Sequence, residues 1–389
     1  MKKKVAVLFT SNIYDQKGLF LAVHNRCLYL KKIADFEVDV FVFVTYKGKL
    51  LSKILNISSV EKINVFEKDG LKYNVIWRKN SVMDYILYHK LRRPEIFHKL
   101  FNEKIVSRFS GYDLLDIHSG CCDIALICKQ KYGIPYIVTW HGSDIHTVPY
   151  YSIYNMKCVV KYLKNASANC FVSNALYEQS KKLISVENYE ILYNGVSPKF
   201  TRYIDSRIEK IANQYNVINK KIVAFIGNII DIKNPLLLPD IFDLVNKKCE
   251  STIEFWVIGD GELKQNLEKK LAQTACTYRL WGNVNPDTMP ELLQCIDVVV
   301  LPSKNEGLSM TLLEAIACGA NAVSSNVGGC KEVVGEKNAI NLDDNFIENI
   351  SNRIIYMLQN EVRQVLKQEF SWELTAIKEN RIITEIFGK

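Results

Sequence analysis

The chain alternates between short apolar runs and helical patterns, and this alternation restricts the fold more than any other feature. Residues 4–10 and 38–45 are rich in β-branched and aromatic residues, as buried strands are. Similar runs recur along the chain as NVIWR, LLDIHS, PYIVTWHG, KIVAFIG, IEFWVIGDG, YRLWG and DVVVLPS. Strands separated by helices form parallel sheets through right-handed crossovers. The sequence therefore predicts an α/β fold with two doubly wound, Rossmann-like domains.

Length and a local change in composition divide the chain in two. At 389 residues it exceeds the size at which a single hydrophobic core stops growing. A polar stretch rich in lysine and asparagine, residues 198–221, separates the two sets of strands. We therefore predict one domain over residues 1–198 and a second over residues 199–370. Ligands of doubly wound sheets bind beyond the carboxyl ends of the strands, so we expect the active site in a cleft between the domains.

The composition limits the classes of protein to which the chain can belong but does not identify its binding partner. The net charge of +8 and the pI near 8.7 favour anionic partners such as nucleotides, lipid headgroups or nucleic acid. The apolar run at residues 5–9 is too short for a signal peptide, and no stretch has the length of a membrane-spanning helix. An intracellular protein is therefore expected. Eleven cysteines without a C-x-x-C pair favour reduced thiols over a zinc site.

Residues 303–319, SKNEGLSMTLLEAIACG, join a polar loop to an apolar helix. The helix is expected to begin near Ser309, a suitable N-cap, and to end near Gly319. The N-terminus of a helix binds phosphate through N–H groups that have no partner within the helix, and a glycine lets the backbone approach the anion. The loop therefore predicts a phosphate site at Gly307, Leu308 and Ser309.

Two glutamates, Glu306 and Glu314, border this predicted phosphate site. A bound diphosphate repels a carboxylate unless the carboxylate serves another part of the ligand. Sugar hydroxyls are such a part, because a carboxylate accepts hydrogen bonds from neighbouring hydroxyls. The arrangement suggests a nucleoside-diphosphate sugar. Taken singly, Glu306 is better explained as a solvated loop charge and Glu314 as a complement to the helix dipole.

The segment EGLSMTLLEAIACG resembles the E-x7-E motif of the family-4 glycosyltransferases, retaining enzymes with the two-domain GT-B fold. Other segments are similar to motifs of that family and follow in the same order. They are WHGSD at 140–144, YNGV at 193–196 with Phe200, FIGN at 225–228 with Lys233, VIGDGEL at 257–263, WGNV at 281–284, and FSWELTAIKENRIITEIF at 370–387. The resemblance extends over nearly the whole chain.

The resemblance implies a donor site in the second domain. Glu314 is expected to bind the ribose of the nucleotide and Glu306 the transferred sugar. Lys233 is expected to neutralise the leaving phosphate, a role that suits lysine as a point charge, with the amides of Leu308 and Ser309 on the diphosphate. The other implied donor-binding residues are Gly307, Gly227, Asn228, Gly282, Asn283 and Val284. Without the resemblance, Lys233 is better explained as a surface lysine.

In the first domain the resemblance implies that His141 lies at the floor of the cleft, near the sugar carbon that reacts. Gly18 and Asp144 are the candidates on the acceptor side, with His118 as a secondary candidate. The terminal segment, residues 371–389, is expected to return to this domain as a helix. In isolation, His141 is better explained as a strand-end histidine, and Asp144 and His118 as local hydrogen-bonding residues.

Two positions depart from the family pattern. Asn228 stands where the family usually has an arginine, just after the glycine that ends the first strand of the donor domain. Either Lys233 and the helix N-terminus suffice for the diphosphate, or its binding is weakened. The first loop, SNIYDQKGLF, offers only Gly18 where the family is rich in glycine, so the acceptor side is poorly defined.

The expected reaction needs no metal and no other cofactor. Many glycosyltransferases hold a divalent ion with an Asp-x-Asp motif, which this chain does not contain. The charge of Lys233 and a helix dipole can stabilise the leaving diphosphate instead. The resemblance implies that the anomeric configuration is retained, by front-face attack in which the leaving phosphate takes the proton of the acceptor.

Basic and aromatic residues interleave between residues 78 and 108. This segment is either a surface that meets anionic lipid and delivers a lipid-linked or polysaccharide acceptor, or a pair of ordinary helices with solvated charges. No nucleic-acid motif accompanies it, so a nucleic-acid partner is not expected. The predicted location is the cytoplasm, with peripheral contact at the inner face of the plasma membrane.

The leading hypothesis is a glycosyltransferase that uses a nucleotide sugar to build a surface polysaccharide or glycolipid. One alternative is a nucleotide-sugar 2-epimerase with the same fold, against which the E-x7-E motif and Lys233 argue. A second is a non-catalytic subunit that binds nucleotide sugars, which Asn228 makes conceivable. A dehydrogenase is disfavoured, because no G-x-G-x-x-G follows the first strand.

Overall fold

The structure is a computed structural model that describes residues 2–14, 16, 18–54, 61–82, 86, 102–360 and 362–388. Most of the predicted membrane segment, residues 83–85 and 87–101 of 78–108, lies outside these described residues. Across the described part of the chain, every helix falls short of the length and apolar character needed to cross a bilayer. The chain divides into two compact units, one of residues 1–193 with 372–389 and the other of residues 194–371.

Unit 1 is built on an eight-stranded sheet in the order β3-β4-β2-β1-β5-β6-β7-β8. Its strands are β1 (Lys4–Thr10), β2 (Glu37–Lys47), β3 (Val65–Lys68), β4 (Leu71–Asn80), β5 (Leu114–His118), β6 (Tyr136–Trp140), β7 (Ala168–Phe171) and β8 (Tyr189–Ile191). Its helices up to residue 193 are α1 (Leu19–Ile33), α2 (Lys49–Ile54), α3 (Cys122–Tyr132), α4 (Ser143–His146), α5 (Ile153–Asn165) and α6 (Asn174–Ser180). Short 3-10 helices span Val106–Phe109 and Val148–Tyr151.

One strand pair of unit 1 departs from the predicted parallel arrangement. β3 pairs with β4 in antiparallel register, Val65 opposite Asn74, at the edge of the sheet. Asp69 and Gly70 join the two strands with φ angles of 49° and 76°. An Asp-Gly pair adopts such positive φ angles readily and favours a tight hairpin. The sequence thus carried a local signal for this hairpin that the strand–helix pattern did not use.

Unit 2 is built on a six-stranded parallel sheet in the order β11-β10-β9-β12-β13-β14. Its strands are β9 (Lys221–Ile226), β10 (Ile253–Ile258), β11 (Tyr278–Gly282), β12 (Val298–Leu301), β13 (Asn321–Ser325) and β14 (Ala339–Ile340). Its helices are α7 (Asp205–Gln214), α8 (Leu238–Lys248), α9 (Lys264–Leu271), α10 (Met289–Gln294), α11 (Met310–Ala317), α12 (Cys330–Val334) and α13 (Phe346–Gln359). Short 3-10 helices span Asp231–Lys233, Pro235–Leu237 and Glu336–Asn338.

Three strands of unit 2 are buried on both faces of the sheet, and two of them, β10 and β12, have mainly apolar sequences, whereas β13 has the sequence NAVSS. Every residue of β10, β12 and β13 is buried. Strands that are buried on both faces lose the alternation of polar and apolar residues and become runs of valine and isoleucine. The predicted α/β class, with two doubly wound sheets, is confirmed.

The last helix, α14 (Trp372–Phe387), belongs to unit 1 although it follows unit 2 in the chain. It packs against α1. Ala376, Ile382 and Ile383 join the core cluster that contains Val5 and Leu30. The compact units divide after residues 193 and 371, where the sequence suggested boundaries at 198 and 370.

Candidate active site

The sheet of unit 2 has one point at which its strand order reverses. From β9 the chain runs outward through β10 and β11, and then returns to β12 on the other side of β9. Loops at the carboxyl ends of the two strands beside such a switch point diverge and leave a crevice for a ligand. The loops in question begin at Gly227, after β9, and at Pro302, after β12.

An ion pair joins these two loops. The Lys233 ammonium donates to Glu306 Oε1 at 2.5 Å, and the side chains are only 23% and 11% exposed. The buried Ser303 hydroxyl donates to the same oxygen at 2.8 Å. The backbone N–H of Lys304 donates to the carbonyl of Ile232 at 2.8 Å, so the backbones of the two loops are also joined. The structure therefore brings together two residues predicted to act on the sugar and on the leaving phosphate.

A third loop fixes the backbone of Glu306. Gly328 has a φ of 48°, and a Cβ placed there would overlap the carbonyl oxygen of Glu306. The N–H of the next residue, Gly329, donates to the carbonyl of Gly307 at 3.0 Å. Only glycine combines this positive φ with so close an approach of two backbones. Gly328 therefore helps to fix the position of Glu306.

The helix after this loop has the predicted bounds. α11 begins at Met310 with Ser309 as its N-cap, and Gly319 follows its end with a φ of 94°. The Ser309 side chain makes no capping hydrogen bond. The first N–H groups of a helix have no partner within the helix and carry the positive end of its dipole. The chain at Leu308 and Ser309, both buried, therefore presents an anion-binding end beside Glu306.

Glu314 lies in the second turn of α11 and is half-buried. Burial raises the pKa of its carboxyl to about 8, although the nearby Lys199 ammonium acts in the opposite direction. A buried carboxyl is costly to the fold, since desolvation disfavours its charged form. A ligand that donates hydrogen bonds to this carboxylate would explain why the chain has a carboxyl here in spite of this cost.

The other predicted donor residues lie in two different loops of unit 2. Gly227 and Asn228 follow β9, and Asn228 is exposed. Gly282, with a φ of 65°, ends β11, and its carbonyl accepts a hydrogen bond from the N–H of Gly259 at 2.8 Å. Asn283, which is exposed, and Val284 follow. In the sheet order β11 is two strands away from β9, so Gly282, Asn283 and Val284 lie at a distance from the Lys233–Glu306 pair, whereas Gly227 and Asn228 share the loop of Lys233.

Unit 1 has an equivalent switch point between β1 and β5, and histidines lie at the carboxyl ends of β5 and of its neighbour β6. His118 ends β5 and is fully buried, whereas His141 follows β6 and is half-buried. His118 Nδ1 and His141 Nε2 share a hydrogen bond at 3.0 Å. The structure thus brings the primary histidine candidate into direct contact with the secondary one.

The two acceptor-side candidates differ in what they contact. The Asp144 carboxylate accepts hydrogen bonds from the backbone N–H of His141 at 3.1 Å and of Gly142 at 2.8 Å. It holds the turn that carries His141, which agrees with the local interpretation of this residue. Gly18 is the N-cap of α1, with a φ of 51° and open space where a Cβ would lie.

One cluster of possible metal ligands occurs among the described residues. Donor atoms of Asp116, His118 and Glu379 lie within 4.8 Å of one another in the interior of unit 1. The Arg26 guanidinium already forms an ion pair with Glu379 at 3.2 Å. A guanidinium repels a divalent cation, so this set is better explained as an ion-pair network than as a metal site.

Sequence reasoning missed several polar residues of these sites. Ser303 ends the apolar run DVVVLPS, and the rule that ligands bind at carboxyl ends of strands was a sufficient signal for it. Lys199, which acts on Glu314, carried no local signal. Arg26, Asp116 and Glu379 lie in apolar helical or strand patterns, where a single charged residue does not reveal its partner.

Two protein-family models match the chain, and together they cover most of it. The model described as Glycosyltransferase Family 4 matches residues 23–200, and the model described as Glycosyl transferases group 1 matches residues 207–371. An uncharacterized glycosyltransferase of Methanocaldococcus jannaschii is 24% identical over 95% of both chains. The UDP-Gal:alpha-D-GlcNAc-diphosphoundecaprenol alpha-1,3-galactosyltransferase of Escherichia coli is 26% identical over 66% of this chain and 69% of its own.

A solved structure supports the same assignment at the level of the fold. HepE of Anabaena, in complex with UDP and glucose, superposes with a TM-score of 0.68 at 19% identity and covers 99% of both chains. The family models, the glycosyltransferase relatives and the two doubly wound sheets agree with one another. The chain therefore belongs to the family-4 glycosyltransferases, which have the two-domain GT-B fold.

Proposed function

We propose that this glycosyltransferase moves a hexose-type sugar from a nucleoside-diphosphate sugar to a lipid-linked or polysaccharide acceptor, with retention of anomeric configuration. The observation that carries the proposal is the ion pair of Lys233 and Glu306 at the switch point of unit 2, beside the N-terminus of α11. The E. coli relative is named for a UDP-sugar and a diphosphoundecaprenol acceptor, and HepE was solved with UDP and glucose.

The ion pair suggests how the donor engages the site. Without ligand, Glu306 neutralises Lys233 at 2.5 Å. An incoming diphosphate carries more charge than one carboxylate and competes for the lysine. Lys233 then contacts the leaving phosphate, with the amides of Leu308 and Ser309, and Glu306 becomes available to sugar hydroxyls. Glu314 accepts from the ribose, and the base lies toward Gly282–Val284.

The transfer itself breaks the bond between the anomeric carbon and the diphosphate oxygen and forms a bond from that carbon to an acceptor oxygen. The acceptor proton passes to the leaving phosphate, so that no group of the protein gains or loses a proton overall. Negative charge grows on the leaving diphosphate, where Lys233 and the helix dipole stabilise it. No metal is required by this scheme, and activity should persist in EDTA.

The acceptor is assigned to unit 1, with His141 acting on the transferred sugar and Asp144 and Gly18 near the acceptor. A lipid-linked acceptor requires contact with a membrane, for which residues 78–108 were the first candidate. The described chain offers a further surface after His141, where Tyr150, Tyr151 and Ile153 are 49%, 60% and 76% exposed. No acidic residue occurs between positions 145 and 177, and lysines follow on α5. Exposed aromatic and aliphatic residues beside lysines suit an anionic lipid surface.

The first test is a screen of the purified protein with UDP-, GDP- and ADP-sugars in EDTA, measuring nucleotide release with and without lipid-linked or glycan acceptors. Release that depends on an acceptor supports a transferase. Conversion of the donor sugar without acceptor supports a 2-epimerase, and binding without any turnover supports a non-catalytic subunit. An inverted linkage in the NMR spectrum of the product would exclude retention.

The membrane contact is tested by cosedimentation with vesicles of phosphatidylglycerol and of phosphatidylcholine. Wild-type protein is expected to bind the anionic vesicles and to dissociate as salt rises. Ile153→Asp is expected to lose binding. Ile204→Asp replaces an isoleucine of unit 2 that is 73% exposed and serves as the matched control. Equal binding by both variants would exclude the surface at 150–156.

A further inference from the structure

A chain of polar side chains crosses the interior of unit 1 and ends at His141. It begins on α1 and α14, passes through β5, and reaches the turn after β6. Its other four members are at most 1% exposed, and they are Arg26, Asp116, His118 and Glu379. Buried charges are rare unless they are paired, and a connected group of them restricts how each member is oriented.

Each member of this chain contacts the next. Arg26 Nε donates to Glu379 Oε2 at 3.2 Å, and Glu379 in turn hydrogen-bonds to Asp116. Asp116 Oδ1 lies 3.6 Å from His118 Nε2. These last two atoms are buried, the distance between them is too long for a hydrogen bond, and neither has a hydrogen-bond partner among the described residues. His118 Nδ1 shares its hydrogen bond with His141 Nε2 at 3.0 Å.

The burial of the chain determines which members carry protons. Burial raises the pKa of Glu379 to about 7 and also raises the pKa of Asp116, and a hydrogen bond between these two carboxyls requires one proton between them. One carboxylate charge then balances the Arg26 guanidinium. Burial lowers the pKa of His118 to about 3 and that of His141 well below its usual range, so both rings are neutral. A neutral imidazole ring has one N–H, and the tautomer determines whether Nδ1 or Nε2 carries that proton.

We propose that Asp116 and His118 are positioning residues that fix His141 as a hydrogen-bond acceptor. His118 carries its proton on Nε2, toward Asp116, and its bare Nδ1 accepts from the Nε2–H of His141. The Nδ1 of His141 is then left with a lone pair. The pair of Arg26 and Glu379 holds Asp116 in place, and through Glu379 the terminal helix α14 belongs to the scaffold of this site.

The opposite tautomers are disfavoured by the same geometry. Because the proton shared by Asp116 and Glu379 lies in their own hydrogen bond, a proton on His118 Nδ1 would leave Nε2 and Asp116 Oδ1, 3.6 Å apart, as two buried acceptors without a donor. An unsatisfied buried acceptor is costly, because it has lost its hydrogen bonds to water and gained none in the protein. The proposed arrangement gives Oδ1 a donor and needs only a small movement to close the distance.

This inference rests on the proposed function only in assigning a ligand to His141. An acceptor nitrogen at that position suits a hydroxyl of the transferred sugar, which donates a hydrogen bond. A neutral ring held as an acceptor cannot also act as a proton donor at that nitrogen, so His141 orients the sugar and does not protonate it.

The decisive measurement is the ¹⁵N–¹H correlation spectrum of histidine side chains in the full-length protein, because protonated and bare imidazole nitrogens differ widely in shift. Both His118 and His141 are expected to show a proton on Nε2 and none on Nδ1. A proton on Nδ1 of either ring overturns the inference. Glu379→Gln is expected to shift the His118 signals, whereas Glu385→Gln, at an exposed position of the same helix, leaves them unchanged.

Activity supplies an independent readout. His118→Gln keeps an oxygen that accepts from His141, whereas His118→Leu offers no acceptor. We expect His118→Leu to lower kcat about tenfold, the effect that corresponds to the loss of one hydrogen bond, with little change in KM for the nucleotide sugar. We expect the kcat of His118→Gln to be restored to near that of the wild type. Equal kcat in the two variants would contradict the positioning role. If the spectra agree but no substrate turns over, the proposed function fails while the tautomer assignment stands.

Discussion

Replacing Glu314 by glutamine removes a half-buried carboxyl whose desolvation destabilises unit 2 when the group is ionised. Burial raises its pKa from the usual 4.5 to about 8 in the folded protein. A group with a raised folded pKa contributes its full stability below the unfolded pKa, and this contribution is lost as pH rises through the folded pKa. The loss, at 1.36 kcal/mol per pKa unit, is about 3 kcal/mol at pH 7 and about 5 kcal/mol above pH 8.

The glutamine variant has no such loss, and its amide is close to the carboxyl in size. Glu314→Gln is therefore expected to raise the Tm of unit 2 by roughly 6–12 °C at pH 7, and by only about 1–3 °C at pH 5. Stabilisation by a substitution within a predicted ligand site is the signature of a residue kept for binding at a cost to the fold.

The glutamine substitution should stabilise the fold but weaken the binding of the donor nucleotide. If the ribose hydroxyls donate to the ionised carboxylate, only the ionised fraction of the free protein is competent to bind. With a pKa of about 8 this fraction is about one tenth at pH 7, so nucleotide affinity should rise about tenfold between pH 7 and pH 9. The glutamine variant should bind weakly and without this dependence.

The assay combines thermal unfolding at pH 5, 7 and 8.5 with calorimetric titration of UDP, or of the nucleotide that the donor screen identifies. Glu250→Gln, at an exposed position of unit 2, is the matched control and should change neither quantity. A Tm at pH 7 equal to that of the wild type would show that the carboxyl is not desolvated in the free protein. Wild-type affinity that is flat from pH 7 to 9 would refute binding through the ionised form.

Three further changes test the rest of the donor site. Lys233→Met should lower kcat by about 10²–10³, which is the usual effect of losing one group that stabilises charge in the transition state. Lys233→Arg should keep part of the activity because it keeps the positive charge. An equal loss of kcat in the two variants would argue against a charge role. Gly328→Ala should destabilise unit 2 by about 1–3 kcal/mol more than Gly133→Ala destabilises unit 1, because Gly133 also has a positive φ, 72°, but open space around it, whereas a Cβ at Gly328 would overlap Glu306; equal losses of stability would contradict this. Asn228→Arg restores the cation that the family usually has and should tighten nucleotide binding several-fold in calorimetry. An unchanged affinity would show that the present site suffices without this arginine.

The individual helices and strands could be predicted from the sequence better than the contacts between them. The apolar runs predicted nine of the fourteen described strands and missed β3, β7, β8, β13 and β14, and α11 begins and ends where Ser309 and Gly319 indicated. Helix caps and buried strands depend on residues close together in the chain, so their signals survive in the sequence. The β3–β4 hairpin was missed even though Asp69 and Gly70 marked it, because strand–helix alternation alone predicts only parallel pairs.

The candidate site was predictable as a set of residues but not as a set of contacts. Glu306, Lys233 and Glu314 were named from a motif resemblance, with roles that remain predictions. The motif gave no sign that Lys233 and Glu306 are paired to each other in the free protein, or that Ser303 supports them. Such pairing depends on how two loops approach, which is set by the order of β9 and β12 in the sheet.

By itself the sequence determined the α/β class, the family and the helix that carries Glu314, because each follows from residue types at short spacing. Only the tertiary structure decided which charges meet. Lys233 and Glu306 are 73 positions apart, and Arg26 and Glu379 are 353 apart. A strand or a helix forms from neighbouring residues, whereas a buried ion pair forms only where packing brings distant elements together and removes the water that would otherwise solvate both charges.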